Sequence, residues 1–329
     1  MKKALILGGT QFIGRQLIRT IENAGGYEIT LFNRGKTAPG LFPHLEQISG
    51  DRYTDDIDRL NNRSWDIAVD FSCYFPKNFR ALLKKLEGHA GKYIHISTIS
   101  VYDLEKNNRA LITEDSPLYS YGPGEEADPA KAHYGQNKRE CERIVLEQTA
   151  FEKIILRPSL VYGEYDHTDR LYYWLYRLKN NLPVLIPGKG KDGMTFTYVK
   201  DLATILFTGM NKTVPGIVYN AVTNSPLALS GYISLMKKIL GSKSESWSLP
   251  AEEVIAHGIS PGNDLPLWYN TPVEISNQKL VHDFQPRLTS LEDSLRETIA
   301  YYDTLGWPEP KAGKVPGTVF SIPGIEKMM

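Results

Sequence analysis

The sequence predicts an α/β fold: a doubly wound parallel sheet joined to a smaller, discontinuous C-terminal substrate domain. Three observations predict it. First, the apolar run Ala4-Leu5-Ile6-Leu7 passes into Gly8-Gly9-Thr10-Gln11-Phe12-Ile13-Gly14 and then into an amphipathic stretch at 15–21, which reads as strand, tight loop and helix. Second, short β-rich runs alternate with helical stretches through the first half, the pattern of parallel strands covered on both faces by helices. Third, the pattern changes in the second half, where helices are separated by Gly- and Pro-rich punctuation such as Pro187-Gly188-Lys189-Gly190 and Pro261-Gly262-Asn263-Asp264.

The elements follow in order. Strands are expected at 27–32 (YEITLF), 66–71 (DIAVDF), 92–97 (KYIHIS) and 153–157 (KIILR), with helices at 76–86 and 136–148 between them. Beyond these, 169–178 and 227–240 read as helices, and 216–221 (GIVYNA) as a short strand returning to the main sheet. The last helix is 291–305, and the Pro- and Gly-rich tail after Gly306 is expected to drape over the surface. The expected division is a dinucleotide-binding domain at 1–162, to which 194–222 returns, and a substrate domain at 163–193 and 223–329, with a cleft between them. No internal repeat or low-complexity linker is evident.

Composition excludes several classes. The 329 residues are enough for a large core, and 41% are hydrophobic. No apolar run approaches the ~20 residues of a membrane helix. The N-terminal apolar run is four residues long and is broken by glycines, unlike a signal peptide, so the cytoplasm is the expected location. Lys and Arg number 38 against 38 Asp and Glu, and a net charge of zero argues against a nucleic-acid partner. Cys73 and Cys141 lie far apart, Cys141 on a helix face that reads as core, and the seven histidines form no HxH or HxxxH pair. No metal site is expected.

The opening loop suits a pyrophosphate. Unpaired N–H groups and the positive end of the dipole meet at a helix N-terminus, and glycines let the backbone approach a phosphate. Gly8 and Gly9 make the turn, and Gly14 lets the helix pack close to the strand; Gln11 stands where a glycine is usual. Strand, glycine turn and helix in this order predict the first turn of a Rossmann fold. There a carboxylate at the end of the second strand normally binds the adenosine ribose. Here that strand ends in Asn33-Arg34-Gly35-Lys36, and two cations suit a 2′-phosphate, so NADP is expected, with NAD as the alternative. Asp51 is placed to accept from the adenine amino group.

Tyr134 and Lys138 stand four apart, on one face of a helix. A phenol ionises near pH ~10, and a nearby ammonium lowers that value. Tyr134 can then exchange a proton with a carbonyl oxygen, while Lys138 holds a ribose. With 19 tyrosines in the chain, two solvated helix residues would give the same spacing.

As a set, the motifs resemble the extended or atypical short-chain dehydrogenase/reductases, in the NAD-dependent epimerase/dehydratase family. The GGTxFIG opening, Ser97-Thr98-Ile99-Ser100-Val101-Tyr102, Tyr134-x-x-x-Lys138, Arg157-Pro158-Ser159-Leu160-Val161-Tyr162-Gly163 and 195–203 (TFTYVKDLA) occur in the family's order. The resemblance covers the chain to about residue 305. It implies Thr98, Tyr134 and Lys138 as the catalytic unit, with Ser97 the substitute for Thr98 one register away. It further implies cofactor contacts from Gly8, Thr10, Gln11, Phe12, Ile13, Gly14, Asn33, Arg34, Lys36, Asp51, Arg52, Phe71, Ser72, Ser97, Lys138 and Pro158. Substrate contacts are expected from Tyr74, Ser100, Tyr165, Arg170 and Trp174, and a homodimer is the expected assembly.

Departures narrow the substrate. The family's sugar-nucleotide dehydratases place Asp-Glu after the catalytic Thr; here Ile99 and Ser100 supply no second acid and base, which disfavours that chemistry. Leu160 replaces an Asn and Met194 an Arg at positions where sugar-nucleotide members contact a diphosphate, although Arg170, Arg177, Lys189 and Lys191 offer other cations. Tyr165, Tyr172, Tyr173, Trp174, Trp268 and Tyr269 are either pocket lining or core. The leading expectation is an NAD(P)-dependent oxidoreductase acting on a small alcohol/carbonyl pair. The alternatives are a sugar-nucleotide epimerase using the same triad, or an RNA-binding or dinucleotide-sensing protein like some relatives with a similar opening.

Overall fold

The computed structural model describes residues 1–107, 111–120, 134–269 and 272–328, and the chain forms two compact units. The first comprises 1–160, 199–223 and 276–287; the second comprises 161–198, 224–275 and 288–329.

The first unit is built on β1 (Lys2–Leu7), β2 (Tyr27–Asn33), β3 (Glu46–Ser49), β4 (Trp65–Asp70), β5 (Ala90–Ile96) and β6 (Glu152–Pro158), with a late strand at Val218–Ala221. The order across the sheet is Val218–Ala221, β6, β5, β4, β1, β2, β3, and every pair is parallel. This is a Rossmann-like sheet. Ala4 to Leu7 are all buried, as a parallel strand covered on both faces requires. The order reverses at β1, where Leu7 lies opposite Phe32 on one side and Asp70 on the other. A crevice at such a reversal is the usual ligand position in this architecture.

Helix α1 (Phe12–Ala24) buries Phe12, Leu17, Ile18 and Ile21, the spacing of one helix face. Helix α2 (Phe79–Leu86) starts three residues later than the sequence pattern suggests, because Asn78 is left-handed at φ 57° and the Phe79 N–H is turned back onto the Pro76 carbonyl. Helix α3 (Tyr134–Glu147) buries Cys141, Ile144 and Val145, and also two charged residues, Lys138 and Glu142. The core between sheet and helices includes Leu5, Phe32, Phe79, Leu82, Tyr93, Cys141 and Ile155. Each such side chain contributes about 1.5–3 kcal/mol by burial.

A buried ion pair fixes α3 to β6. Arg157 donates from Nε and Nη2 to the two Glu142 oxygens at 2.8 and 2.7 Å, and from Nη1 to the Tyr102 hydroxyl at 2.9 Å. Tyr102 in turn donates to Asn220 Oδ1 on the late strand at 2.6 Å. Breaking one partner of such a pair typically costs about 3–5 kcal/mol, because the other charge stays buried.

The second unit holds helices at Arg170–Lys179, Leu229–Leu240 and Leu291–Leu305 and a sheet of Glu326–Met328, Ser246–Leu249 and Val184–Pro187. The last helix has the bounds read from the sequence: Ser290 Oγ accepts from the Asp293 N–H at 3.1 Å, and Gly306 at φ 70° ends it. The tail does not only drape, since its end pairs antiparallel with Ser246 to Ser248. The expected helix start at 227 is lost to pairing of Leu227 and Ala228 with Met194 and Gly193. Two segments also sit otherwise than the sequence division has them. Phe196–Tyr198 pairs with Leu160–Tyr162 and belongs to the second unit. Helix Gln278–Phe284 belongs to the first unit, where Tyr219 of the late strand donates to Asp283 Oδ2 at 2.8 Å. Among the described residues no helix is long and apolar enough to cross a membrane.

Candidate active site

The carboxyl ends of β1, β2, β4 and β5 and the start of α1 frame the candidate site. Gly8 and Gly9 adopt φ 87° and 82°, conformations that side chains resist. A Cβ on Gly14 would fall 2.3 Å from Gly9 Cα, and one on Gly8 would fall 3.1 Å from Ser72 Cβ. Helix and loop thus meet backbone to backbone, which only glycine allows. At the head of α1, exposed Gln11 makes no side-chain capping bond and no acidic residue stands in the first turn. The positive end of the dipole is therefore not offset by a carboxylate there, a condition that suits a phosphate group. Thr10 and Ile13 are half-buried beside Gln11, and Phe12 is buried.

At the end of β2, Asn33 Oδ1 accepts the Gly35 N–H at 2.7 Å and shapes a turn that leaves Arg34 and Lys36 exposed. The Arg34 guanidinium lies 3.9 Å from the Asp51 carboxylate, whose Oδ1 also accepts the Tyr53 N–H. Arg52 corrects the expectation of a cofactor contact. Its side chain is 6% exposed, donates to Asp70 Oδ1 at 2.6 Å and to Ser72 Oγ at 3.0 Å, and lies 5.3 Å from the Phe79 ring centre. A cation so enclosed serves the fold.

Asp70 is the centre of a buried polar cluster that the sequence did not announce. Its Oδ1 accepts from Arg52 and from the Ser72 N–H, and its Oδ2 from the Tyr93 hydroxyl at 2.5 Å. Burial pushes the Asp70 carboxyl up, but the Arg52 charge and hydrogen bond outweigh it and hold it at about 2. Burial and the Asp70 charge push Tyr93 well above the usual phenol range. Burial, with the Lys138 charge added, pushes His95 well below the usual imidazole value. Neither ring nitrogen of His95 has a hydrogen-bond partner among the described residues. Donor atoms of Asp70, Cys73 and His95 lie within 4.8 Å of one another. The carboxylate oxygens are already committed and a guanidinium sits beside them, which makes the group a poor cation site.

Lys138 is 3% exposed, and its Nζ donates to the carbonyls of Cys73 at 2.8 Å and Ile96 at 2.6 Å. This places the ammonium at the ends of β4 and β5. Tyr134, 48% exposed, opens α3, and its ring lies 6.5 Å from the half-exposed Tyr74 ring. Thr98 caps the short turn Ile99–Val101: its Oγ1 accepts from the Ser100 N–H and donates to Ser100 Oγ, both at 3.2 Å. α3 packs on that turn, which brings the elements carrying Thr98, Tyr134 and Lys138 together. Ser97 is buried, and its Oγ has no partner among the described residues. Phe71, whose N–H is held by the Leu7 carbonyl, and buried Pro158 complete the rim of strand ends.

The substrate residues read from the second unit divide. Trp174 corrects the pocket reading: it is fully buried and its indole N–H donates to the Pro266 carbonyl at 2.8 Å. Tyr172 and Tyr173 are core too, Tyr172 stacking on Tyr302 at 3.8 Å. Arg177 is tied through Nε and Nη2 to the Pro183 carbonyl. Tyr165 packs edge-on against Tyr301, and Arg170 Nε donates to Thr168 Oγ1 at 3.2 Å. Trp268 and Tyr269 line a shallow pocket with Leu229, Met194 and Asp192. Leu160 and Met194 are buried apolar residues, 7% and 4% exposed.

Residues 78–221 match the model of the "NAD dependent epimerase/dehydratase family". The family is one of enzymes. The chain is 28% identical over 218 residues to the chloroplast stem-loop binding protein of 41 kDa b of Arabidopsis thaliana, a match covering 62% of this chain and 53% of that one. It is 28% identical over 160 residues to the dTDP-D-glucose 4,6-dehydratase of Homo sapiens, covering 47% and 41%. The matches span about half the length of these relatives or less. In structure it is similar to the UDP-glucuronic acid 4-epimerase of Bacillus cereus in complex with NAD, with TM-score 0.70 and 19% identity, over 93% of this chain and 100% of that one.

Sequence reasoning missed the Asp70–Arg52–Tyr93 cluster and the Arg157–Glu142 pair. The available signal was a charge inside an apolar pattern, as in Ile67-Ala68-Val69-Asp70 and Ile154-Ile155-Leu156-Arg157. Such a charge announces that it needs a partner without naming it.

Proposed function

We propose that this protein is an NAD(P)-dependent oxidoreductase of the short-chain dehydrogenase/reductase type, acting on a small substrate at an alcohol/carbonyl carbon. The observation that carries the reading is the Lys138 ammonium held by the Cys73 and Ile96 carbonyls at the carboxyl ends of β4 and β5. An ammonium has three donors. With two placed by the backbone, one remains for a nicotinamide ribose hydroxyl, and its charge favours the phenolate of Tyr134, one turn away.

The dinucleotide would be held by the Gly8-Gly9 turn, the head of α1, and Arg34 with Lys36 at the adenosine end, the last two favouring NADP through a 2′-phosphate. When bound, it supplies the hydride donor or acceptor. Tyr134 gives a proton to the carbonyl oxygen in reduction and takes it back in oxidation. Thr98 orients that oxygen from the capped turn beneath. Tyr74, exposed against Tyr134, offers a ring face to the substrate, and Ser100 a hydroxyl.

Tyr134→Phe tests the reading. Turnover of NADPH with a panel of aldehydes and ketones should fall at least about 100-fold, while NADPH affinity by fluorescence titration stays within about 2-fold. Retained turnover would refute the role of Tyr134. Binding of a sugar nucleotide with interconversion of its epimers and no net NADPH consumption would favour the epimerase reading, which the family match also supports. Salt-dependent RNA binding unaffected by Tyr134→Phe, with no dinucleotide bound, would remove the enzyme reading.

A further inference from the structure

We propose that Asp51 sets the preference of this chain between the two dinucleotides, because its carboxylate competes with a 2′-phosphate for the Arg34 guanidinium. The proposal rests on the cofactor reading above and adds to it a residue that works against NADP. Strands β2 and β3 are parallel, with Asn33 opposite Ser49. One residue on, the Gly50 N–H donates to the Asn33 carbonyl at 2.9 Å. A Cβ on Gly50 would fall 2.7 Å from the Phe32 ring, so the chain after β3 is pressed against the end of β2. Arg34 and Asp51 leave this junction side by side, with Arg34 Nη1 3.9 Å from Asp51 Oδ2.

The two partners are held differently. The Asp51 N–H donates to Asp56 Oδ2, its carbonyl accepts the Thr54 hydroxyl, and its Oδ1 accepts the Tyr53 N–H, each at 3.0 Å. The carboxylate is therefore a fixed charge. The Arg34 side chain is 57% exposed, a long arm that can turn. Beside them Asn33 Nδ2 is buried and has no partner among the described residues, so this turn holds an unspent donor as well as a cation. At 3.9 Å the contact between Arg34 and Asp51 is an ion pair without a hydrogen bond. An exposed pair of this kind is weak and is screened by salt, so a ligand can draw Arg34 away. A phosphate monoester, with about 1.5 to 2 negative charges at pH 7, is such a ligand. Taking Arg34 for the phosphate gives up its pairing with Asp51. A ribose with a free 2′-hydroxyl leaves the pair as it is. The competition thus acts on NADP(H) and spares NAD(H).

The test measures NADPH and NADH affinities by fluorescence titration and reads their ratio. Asp51→Asn removes the charge and keeps an oxygen for the Tyr53 N–H. Asp51→Ser removes it and keeps the turn through a hydroxyl, which guards against a variant that misfolds. At low ionic strength each should shift the ratio toward NADPH by about 3- to 5-fold, the upper range for an exposed pair. In 1 M KCl, where the Debye length is about 3 Å, the shift should shrink below about 2-fold. In an Arg34→Ala background, Asp51→Asn should move the ratio by less than about 1.5-fold, because the contested group is gone. An unchanged ratio with both dinucleotides bound overturns the proposal and leaves the cofactor reading standing. An equal shift with and without Arg34 also overturns it, since Asp51 then acts without the guanidinium. If the ratio moves as expected but NADPH is never turned over, the reductase chemistry fails and the role of Asp51 stands. If neither the parent nor any variant binds either dinucleotide, both readings fall together.

Discussion

Gly14→Ala asks whether the opening loop is built by backbone contact. In an exposed helix interior this change stabilises by about 1 kcal/mol, since alanine is the better helix former. Here the added Cβ would lie 2.3 Å from Gly9 Cα and 2.9 Å from both the carbon and the oxygen of its carbonyl. No side chain can rotate away, because all three atoms are backbone. Ordinary van der Waals contact begins at 3.4 Å, so the head of α1 must retreat from the loop by about 1 Å. Gly9 cannot yield in the other direction, being held at φ 82° with Ile6 and Ile18 packed around it. Overpacking of this kind costs about 1–3 kcal/mol, enough to reverse the sign of the helix-propensity gain. Urea unfolding should show a lower midpoint for Gly14→Ala. Fluorescence titration should show NADPH bound at least about ten-fold more weakly, about 1.4 kcal/mol, because the N–H groups that face a pyrophosphate have moved. A variant as stable as the parent or more so, with unchanged NADPH affinity, would refute the argument.

Other predictions rest on separate parts of the molecule. Arg34→Ala should weaken NADPH by about 10- to 100-fold, the worth of a charge-assisted contact, and leave NADH within about 2-fold in parallel titrations; equal loss for both would count against a 2′-phosphate site. Asp70→Asn strands the buried Arg52 guanidinium and should destabilise the fold by about 3–5 kcal/mol in urea unfolding; a loss under about 1 kcal/mol would show that the pair is dispensable. The same carboxyl sets an acid limb. Its folded value of about 2 lies below its ordinary 3.8, so its contribution is present above about pH 4 and lost as the pH falls toward 2. Unfolding midpoints measured across that range should fall more steeply for the parent than for Asp70→Asn, and parallel curves would contradict the assignment.

Much of the fold was legible in the chain, and unevenly. The strand–loop–helix opening, the alternation that follows and the last helix are local statements: apolar period, glycine placement and capping residues act within a few neighbours. The start of α2 was misread because Asn78 turns left-handed, a choice that the residues around it settle. The tail was misread because a strand at Glu326–Met328 exists only where Ser246–Leu249 offers an edge. Among candidate site residues, Gly8, Gly14, Arg34, Tyr134 and Lys138 could be singled out by spacing and charge, whereas Arg52 and Trp174, expected as cofactor and substrate contacts, are instead held inside the fold.

The sequence by itself determined the class of sheet, the phosphate-suited turn and the types of group available for proton transfer, because those depend on side-chain chemistry and on periodicities of two to four residues. Only the tertiary structure decided where each charge is answered. Arg52 could have faced a cofactor or Asp70, and the buried carboxylate holds it, as Glu142 holds Arg157. It also decided that Lys138 is aimed by the carbonyls of Cys73, in the loop after β4, and of Ile96 on β5. The physical reason is common to all of these. A buried polar group must find its partner, and in a parallel sheet, where sequence neighbours on adjacent strands are separated by whole crossover helices, that partner is supplied by topology.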